Sequence, residues 1–415
     1  MRNRLCAVAA TFGLLVGGAR AQERAAPPRE LPPAPADPFS DPFFKPIDPT
    51  LAGTVAANDA RKVALPPGCP CGPGFTTWMT AELLIGRTRG PSVVPVVTTG
   101  PPSAGALAGA PGQPSTLPLF GGRRILDDWR SGLRVELGVW LDDEHRAAIG
   151  ARFYTLFSTS EQFRAVPNGA NVINVPQVVP AGALTVQVPA FVGFPGVSTG
   201  RVEATAQTTF AGGDLNARFA LERNDRFRVD VLAGYRQLHL NDELGVNFTV
   251  VPVGANPLLA AQLTGTDSVR TRNNFYGPQL GLCATVGGDR FWVEGHAAGA
   301  LGVTASELAF ARSRNVGLAP GTAPLLAAFG LPAGQIPLTQ ANVNDRLTYL
   351  GVVGEGGVRL NWRAAEHVRV TAGYSFLYWN NVRRAQEMFV PGPVLRPQAI
   401  DFTTHLFNVG LELRY

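Results

Sequence analysis

The sequence is poor in cysteine, in lysine and in charged residues, and each scarcity excludes a class of protein. Four cysteines in 415 residues are too few for a disulfide scaffold. Charged residues make up 16% of the chain, below the roughly one quarter that is usual in soluble domains. Lys45 and Lys62 are its only lysines, and basic and acidic residues nearly balance once a predicted leader is removed. We therefore expect no nucleic-acid partner.

Patterns that would indicate catalysis, a cofactor or a metal are also scarce. Cys69 and Cys71 form a Cys-Pro-Cys pair without the second pair of ligands that a zinc site needs, and Cys283 stands alone. The histidines are scattered, and the sequence has neither an H-E-x-x-H motif nor a phosphate-binding P-loop. We predict no catalytic residue, no cofactor and no metal ligand. The Cys-Pro-Cys pair is interpreted as free thiols, a local disulfide or an intermolecular bond.

Long apolar stretches are missing outside the first 21 residues. Residues 1–21 carry Arg2 and Arg4, an apolar run, and Ala19-Arg20-Ala21, which together indicate a signal peptide for Sec secretion that is then cleaved. The alternative is an uncleaved N-terminal anchor, but the run is shorter than the roughly 20 residues that a spanning helix needs. A mature chain that enters a membrane must then do so as a closed β-barrel, which also satisfies every backbone polar group in lipid.

Residues 22–74 are dense in proline and alanine and show no sustained periodicity. Asp-Pro pairs recur at positions 37–38, 41–42 and 48–49. This composition predicts an extended, disordered periplasmic segment. The simplest interpretation is a tail or linker, and the alternative is a tether to the cell wall or to another partner in the envelope. The chain is thus divided into a signal peptide (1–21), a Pro-rich segment (22–74) and a barrel (75–415).

From residue 75 onwards, apolar and polar residues alternate in short stretches, as in strands with one apolar and one polar face. The clearest hairpin turns at Asp142-Asp143-Glu144-His145, and three more turn near residues 223–226, 287–290 and 364–366. A first strand near 79–86 and a last strand bring the count to ten, with long loops centred near residues 105, 180, 255, 325 and 390. The pattern predicts an all-β, transmembrane, antiparallel up-and-down barrel with short periplasmic turns and long extracellular loops.

The last strand, Leu406 to Tyr415, alternates without interruption. Its apolar face consists of Phe407, Val409, Leu411, Leu413 and Tyr415. A last strand that ends in an aromatic residue resembles the signal by which the barrel-assembly machinery recognises its substrates. We expect this strand to pair with the first strand near Trp78 to Gly86, because an unpaired edge cannot remain in lipid.

Charged residues occupy the opposite positions of these strands and are predicted to face the barrel interior. They are Glu82, Arg134, Glu136, Arg152, Arg228, Asp230, Glu294, Glu355, Arg359, Arg369, Glu412 and Arg414. A ten-stranded barrel is only slightly wider than the eight-stranded kind that side chains fill. Paired arginines and carboxylates would therefore form a closed, salt-bridged lumen, and the alternative is a narrow polar channel.

Several stretches of the predicted barrel, taken together, resemble the strand and turn motifs of a known family. They are Trp78-x-x-Ala81-Glu82-Leu83-Leu84, Thr98-Thr99-Gly100-Pro101, Arg130 to Arg134 running into Gly138 to Asp143, Asn274 to Gly281, and Gly373 to Val382. They resemble the beta-barrel-protein-7 family of bacterial outer-membrane proteins, over roughly Thr76 to Tyr415. Because these motifs are strand and turn patterns, the resemblance implies a fold and an outer-membrane location but no reaction.

The expected function is that of a non-enzymatic integral outer-membrane barrel with a structural or surface-interaction role. Its expected partners are outer-membrane lipid and the barrel-assembly machinery. The first alternative is a narrow porin-like channel for small polar solutes. The second is an omptin-like protease on the rim, since His239, Asp242 and Glu243 lie close together near the loop end of a predicted strand.

Overall fold

The computed structural model describes residues 76–181, 184–224, 226–253, 262–317, 335–389 and 399–415. The predicted signal peptide and the Pro-rich segment lie outside these residues. The strands are β1 (Thr77–Thr88), β2 (Val97–Gly100), β3 (Leu117–Phe120), β4 (Arg130–Trp140), β5 (Ala147–Ala165), β6 (Val172–Ala181), β7 (Leu184–Gly193), β8 (Ser198–Arg223), β9 (Phe227–Pro252), β10 (Gln262–Gly287), β11 (Phe291–Gly317), β12 (Gln335–Arg363), β13 (Val368–Arg383) and β14 (Ala399–Arg414). The helices are a 3-10 helix, Pro102–Leu107, and α1, Ala385–Met388. Neither of these described helices has the length and apolar character to span a membrane.

Ten of the strands close into a barrel in the order β1-β14-β13-β12-β11-β10-β9-β8-β5-β4. Every neighbouring pair is antiparallel. The predicted pairing of the first and last strands is confirmed, and it runs from Trp78 opposite Arg414 to Thr88 opposite Thr404. The fold is therefore the predicted transmembrane up-and-down barrel, with no free edge in its wall.

The two ends of the barrel differ in their connections. At one end, here called the turn end, four short turns join β4 to β5, β8 to β9, β10 to β11 and β12 to β13. In the first turn, the Asp142 carboxylate accepts hydrogen bonds from the backbone N–H groups of Arg146 (2.7 Å) and Ala147 (3.0 Å). These bonds, that from Ala147 foremost, lower the pKa of Asp142 below its usual value. The opposite end is called the loop end.

The outer surface near the turn end is apolar. On β9, Phe227, Val229, Val231, Ala233 and Tyr235 point outward, and the next outward residue is the polar Gln237. This apolar stretch has the length that a tilted membrane strand needs, roughly 9–11 residues. The five strands from β8 to β12 are 26 to 29 residues long, so they continue well beyond the membrane at the loop end. We call the parts of the barrel strands beyond the apolar surface, including the last residues of β5, the strand extensions.

Exposed aromatic rings mark both borders of the apolar surface. Phe291 and Trp362 stack at the turn end with ring centroids 6.2 Å apart. Towards the loop end, Phe407 lies 5.1 Å from Tyr374 and 5.7 Å from Trp129. Such rings favour the boundary between hydrocarbon and headgroups, so they place the two membrane interfaces on the barrel.

Two segments expected to be loops, centred near residues 105 and 180, contain strands instead. They form a second sheet in the order β3-β2-β6-β7. It packs against the inward faces of the strand extensions through an outer apolar cluster. The cluster includes Val97, Phe120, Ile173, Val175, Val202, Leu244, Val246, Phe248, Val269, Leu308 and Phe310. Strands β2 and β3 have only four residues each, too few for a periodic pattern, and β6 and β7 contain prolines that argue against strands. The loops expected near 255, 325 and 390 fall largely outside the described residues.

Candidate functional site

All twelve charged residues predicted to face the lumen do point into it, and each makes at least one ion pair with an N···O distance of 4.0 Å or less. We call this set, with its additional members below, the charge layer. It lies at the level of the apolar outer surface, and period two explains it. In each strand, the residues between outward apolar side chains must point inward.

The charge layer is bridged across the full width of the barrel. Arg152 on β5 donates to both carboxylate oxygens of Glu355 on β12, each at 2.8 Å. Strands β5 and β12 are five places apart in the ring of ten and so stand opposite each other. Arg236 on β9 reaches the same carboxylate at 2.6 Å. Two guanidinium groups and one carboxylate therefore occupy the centre of the lumen.

A second group of pairs closes the side of the lumen next to β1. Arg359 contacts Glu82 at 3.3 Å, Glu136 at 3.7 Å and Glu294 at 3.8 Å. Glu82 is 1% exposed and accepts further hydrogen bonds from Arg134, Thr371 and Asn408. A buried carboxylate with this many donors is held in one position, because each lost partner would leave a charge unsatisfied.

The sequence prediction missed four members of the charge layer. Asp214 accepts two hydrogen bonds from Arg152 at 3.0 and 2.7 Å, and Arg218 donates to Asp230 at 2.7 Å. Arg236 is described above, and His296 lies 3.4 Å from Glu355. Arg236 and His296 follow outward residues of recognised strands, so strand parity alone could have found them.

Towards the loop end, the charge layer gives way to an inner apolar layer. Its members come from nine of the ten barrel strands: Leu84, Tyr154, Leu156, Phe210, Leu238, Leu240, Phe275, Ala300, Val353, Leu377, Trp379, Val382, Phe402 and Leu406. The rings of Phe210 and Phe402 are 4.9 Å apart, and Trp379 is fully buried, with its Nε1 donating to Thr304 at 3.0 Å. A ring of apolar side chains this well packed excludes water.

A short segment after β13 folds back into the barrel above the inner apolar layer. Arg383 and Arg384 precede α1, and both are buried. Arg384 Nη2 donates to Asp242 at 3.1 Å, while the Asn273 side chain holds both the N–H (3.0 Å) and the carbonyl (2.7 Å) of Arg383. The residues of α1 then join the outer apolar cluster through Ala385 and Met388. This segment adds a third obstruction to the lumen.

The described residues leave a cavity of about 80 Å³ in the charge layer. Arg152, Arg218, Arg236, Glu294 and Arg359 are among the residues that line it. Since one buried water needs roughly 10–15 Å³ of cavity volume, several waters fit between the charged groups. The inner apolar layer separates this cavity from the loop end.

A larger concavity of about 290 Å³ lies at the turn end of the lumen. We call it the basic mouth. Its charged lining is Arg218, Arg223, Arg226, Arg228, Arg363, Arg369 and Arg414, against Asp289 and Glu294. Trp140, His145 and Trp292 also line it. Arg228 lies 4.5 Å from the centre of the Trp140 ring, and Arg369 lies 4.8 Å from that of Trp292, so cation–π contacts hold two of the arginines in place.

The predicted assembly-signal residues Phe407, Val409, Leu411, Leu413 and Tyr415 point outward from β14. Tyr415 is 74% exposed; its backbone N–H donates to the Thr77 carbonyl at 2.9 Å, and its carbonyl accepts from the Thr77 N–H at 2.7 Å. The residue is thus part of the barrel seam while its side chain stays accessible at the turn end. Its role in assembly stays a prediction.

The residues named for a rim protease are not brought together. His239 and Glu243 point outward, where they contact Asn274 and Arg270 respectively. Asp242 points inward and pairs with Arg384. The Asp242 carboxylate and the His239 imidazole therefore lie on opposite faces of the wall and cannot share a water or a proton, while Glu243, four residues along the strand from His239, is paired with Arg270.

The sequence also contains Gly196-Val197-Ser198-Thr199-Gly200, which has the letters of a serine-hydrolase motif. In those enzymes the serine stands on a sharp turn between a strand and a helix. Ser198 instead begins β8, and its hydroxyl donates to the carbonyl of Phe191 at 2.9 Å. A strand, and no helix, follows it, so this pattern does not form a nucleophile elbow.

Comparisons with solved structures find other outer-membrane barrels at low similarity. The outer membrane protease OmpT from Escherichia coli shares 11% identity, with 83% of this chain and 97% of that chain covered and a TM-score of 0.38. CymD, a monoaromatic hydrocarbon channel, shares 9%, with 82% and 88% covered and a TM-score of 0.26. A FadL homologue from Pseudomonas aeruginosa shares 8%, with 83% and 90% covered and a TM-score of 0.24. At these scores, none of the three supports an inference about function.

Comparison of the sequence with family models is more specific than comparison with solved structures. None of the curated proteins matches the chain. A family model does match, over residues 78–392, and its description is "Putative beta barrel porin-7 (BBP7)". The match covers most of the barrel, from the start of β1 to the residues beyond α1. The chain therefore belongs to the beta barrel porin-7 family, as the strand and turn motifs of its sequence indicated.

Proposed function

We propose that this protein is a closed, non-enzymatic integral barrel of the outer membrane, with a structural or surface-interaction role. The observation that carries the proposal is the filled lumen. Arg152 and Glu355 meet across the barrel, and the inner apolar layer seals the level above them. Ions would have to displace paired charges and then cross a dry apolar layer, and both steps are unfavourable.

The proposal also gives the barrel an orientation in the outer membrane. The apolar outer surface contacts outer-membrane lipid, the turn end faces the periplasm, and the strand extensions with their second sheet stand on the outer side. Residues 22–74 would then extend into the periplasm, where they could reach a partner in the cell envelope. Surface interaction is assigned to the extensions because these long strands project beyond the membrane while the lumen is closed.

Conductance of the purified protein in planar bilayers tests the closed state. We expect no stepwise current from the folded barrel, under conditions in which a general-diffusion porin gives steps in the same bilayers. Folding of each sample would be checked by the shift in gel mobility between unheated and boiled protein. Reproducible ion steps from the folded protein would overturn the proposal.

A narrow porin-like channel is the second candidate, and the family description and the cavity of the charge layer favour it. It would require the inner apolar layer to open a path. Conductance distinguishes the two candidates directly. A channel through the charge layer should also change its cation-to-anion selectivity when Glu355 is replaced by glutamine, whereas a leak at the protein–lipid boundary should not.

Membrane integration and assembly can be tested in cells. Carbonate extraction should leave the protein in the membrane fraction, and its release would contradict an integral barrel. Deletion of Tyr415 should lower the amount of folded barrel, since the exposed aromatic ring is the proposed recognition element for the assembly machinery. Replacement of Tyr415 by phenylalanine is the matched control and should preserve assembly. Normal barrel levels after deletion would contradict the assembly role.

A further inference from the structure

The basic mouth has more positive charge than its carboxylates neutralise. Asp230 is shared by Arg218 and Arg228, and Glu412 is shared by Arg369 and Arg414. With Asp289 and Glu294, four carboxylates face the seven arginines, an excess of three positive charges among the described residues. Elsewhere in the charge layer the numbers are equal, because the arginines at positions 134, 152, 236 and 359 pair with the carboxylates at positions 82, 136, 214 and 355.

Three of these arginines have no carboxylate within 4.0 Å among the described residues. Arg223 donates to the backbone carbonyl of Glu144, and Arg226 and Arg363 make no ion pair with the described residues. All three are exposed at the opening of the mouth. Their guanidinium groups are therefore available to a ligand, and binding one would not require an existing salt bridge to break.

The deeper wall of the mouth presents unused hydrogen-bond donors. Trp140 is 4% exposed, and its Nε1 has no partner among the described residues. Arg369 Nε is also buried without a partner. Buried donors are nearly always paired in proteins, so an acceptor from outside the chain is the natural partner for these groups.

We propose that the basic mouth is a binding site for a phosphate-bearing anion. A phosphate group offers several acceptor oxygens and more than one negative charge, which fits planar guanidinium donors better than a single carboxylate would. The volume of about 290 Å³ leaves room for one or two phosphate groups with their waters. On the orientation proposed above, the site would open to the periplasm.

The test uses the full mature protein in phosphatidylcholine nanodiscs, titrated with inorganic pyrophosphate by calorimetry. We expect saturable binding at one site, weaker at higher salt. The double variant Arg226→Gln/Arg363→Gln should weaken it at least tenfold. Neither residue makes an ion pair with the described residues, so the variant should fold normally. Arg290→Gln is the matched control, because Arg290 is exposed at the same end but does not line the mouth, and its affinity should be unchanged.

Two results would overturn the proposal. One is no saturable binding by the folded wild-type protein. The other is an equal loss of affinity in the double variant and in Arg290→Gln, which would indicate attraction by the whole turn end. Loss of binding in Trp140→Phe, with unchanged binding in the control, would further place the ligand against the unpaired Nε1.

A lipid headgroup and a soluble phosphate share the proposed chemistry, and nanodisc composition distinguishes them. If the headgroup is the natural occupant, phosphatidylglycerol nanodiscs should lower the apparent pyrophosphate affinity of the wild type by competition. If the natural ligand is soluble, the affinity should be the same in phosphatidylcholine and phosphatidylglycerol at matched salt. Either result identifies the ligand of the basic mouth only if the double variant Arg226→Gln/Arg363→Gln also binds pyrophosphate more weakly than the wild type.

Discussion

The charge layer and the inner apolar layer block the same lumen by different means. In the charge layer, Arg152, Arg236 and Glu355 fill space with long polar side chains whose positions depend on one another. In the inner apolar layer, Phe210, Trp379 and Phe402 fill it by direct packing. Both levels are buried, and the charge layer also holds a cavity of about 80 Å³ with room for several waters.

This difference determines what each layer can tolerate. An ion-pair network gains little over apolar packing when complete, but the loss of one member leaves its partners as buried, unpaired charges. An apolar layer loses stability in proportion to the volume removed, and neighbouring side chains can relax into part of the gap. The charge layer should therefore be the more sensitive of the two to single substitutions.

Glu355→Leu should have the largest effect. It removes the carboxylate that joins Arg152, Arg236 and His296 while keeping similar bulk. We expect a loss of about 4 kcal/mol in the free energy of unfolding, since two buried guanidinium groups lose a partner. Urea unfolding of the barrel in lipid vesicles, followed by tryptophan fluorescence, measures this. A loss below about 1 kcal/mol would mean that water reaches the layer and screens its charges.

Trp379→Ala should have the next largest effect. The side chain is fully buried against Phe275 and Phe402, so its removal leaves a cavity in the inner apolar layer. We expect a loss of about 3 kcal/mol in the free energy of unfolding in the same assay. Trp379→Phe is the matched control and should lose about 1 kcal/mol, because it retains most of the volume and gives up the hydrogen bond to Thr304. Equal losses in the two variants would show that the hydrogen bond outweighs the packing.

Glu136→Gln tests the partly exposed rim of the charge layer. Glu136 is 3.7 Å from Arg359, which keeps Glu82 and Glu294 as partners when the charge is removed. Glutamine retains an acceptor for Trp78 Nε1, which donates to Glu136 at 3.4 Å. We expect a loss of about 1 kcal/mol, clearly below that of Glu355→Leu. A loss as large as that of Glu355→Leu would mean that the layer responds as one unit and not pair by pair.

Strand alternation explains which members of the charge layer could be predicted from the sequence. Where the outward residues are large and apolar, as in Leu133, Val135 and Leu137, the residues between them were assigned to the lumen, and Arg134 and Glu136 do lie there. On β8 the large outward residues Leu215 and Phe219 alternate with the small residues Gly213 and Ala217, so the apolar alternation is interrupted. Asp214 and Arg218 were missed for that reason.

The inner apolar layer was missed because the alternation changes phase along each long strand. On β9 the apolar side chains point outward up to Tyr235, whereas from Leu238 onwards they point inward and the outward residues are polar. The change marks the point where the strand leaves lipid and begins to enclose an apolar interior. When a single phase is assumed, the strand ends at this point, and the remainder is taken as a loop.

The smallest effect is expected at an exposed pair on the strand extensions. Arg164 and Glu203 are 2.8 Å apart, with side chains 73% and 42% exposed. Glu203→Gln should change the free energy of unfolding by no more than about 0.5 kcal/mol, because water solvates and salt screens both charges. The assay is the one used for Glu355→Leu, repeated at low and high salt. The Arg164–Glu203 and Arg152–Glu355 pairs have the same separation of 2.8 Å, so the difference between the two losses reflects the burial of Glu355 and its additional partners Arg236 and His296. Similar losses at both sites would show that the lumen is as well hydrated as the surface, which would contradict the closed barrel.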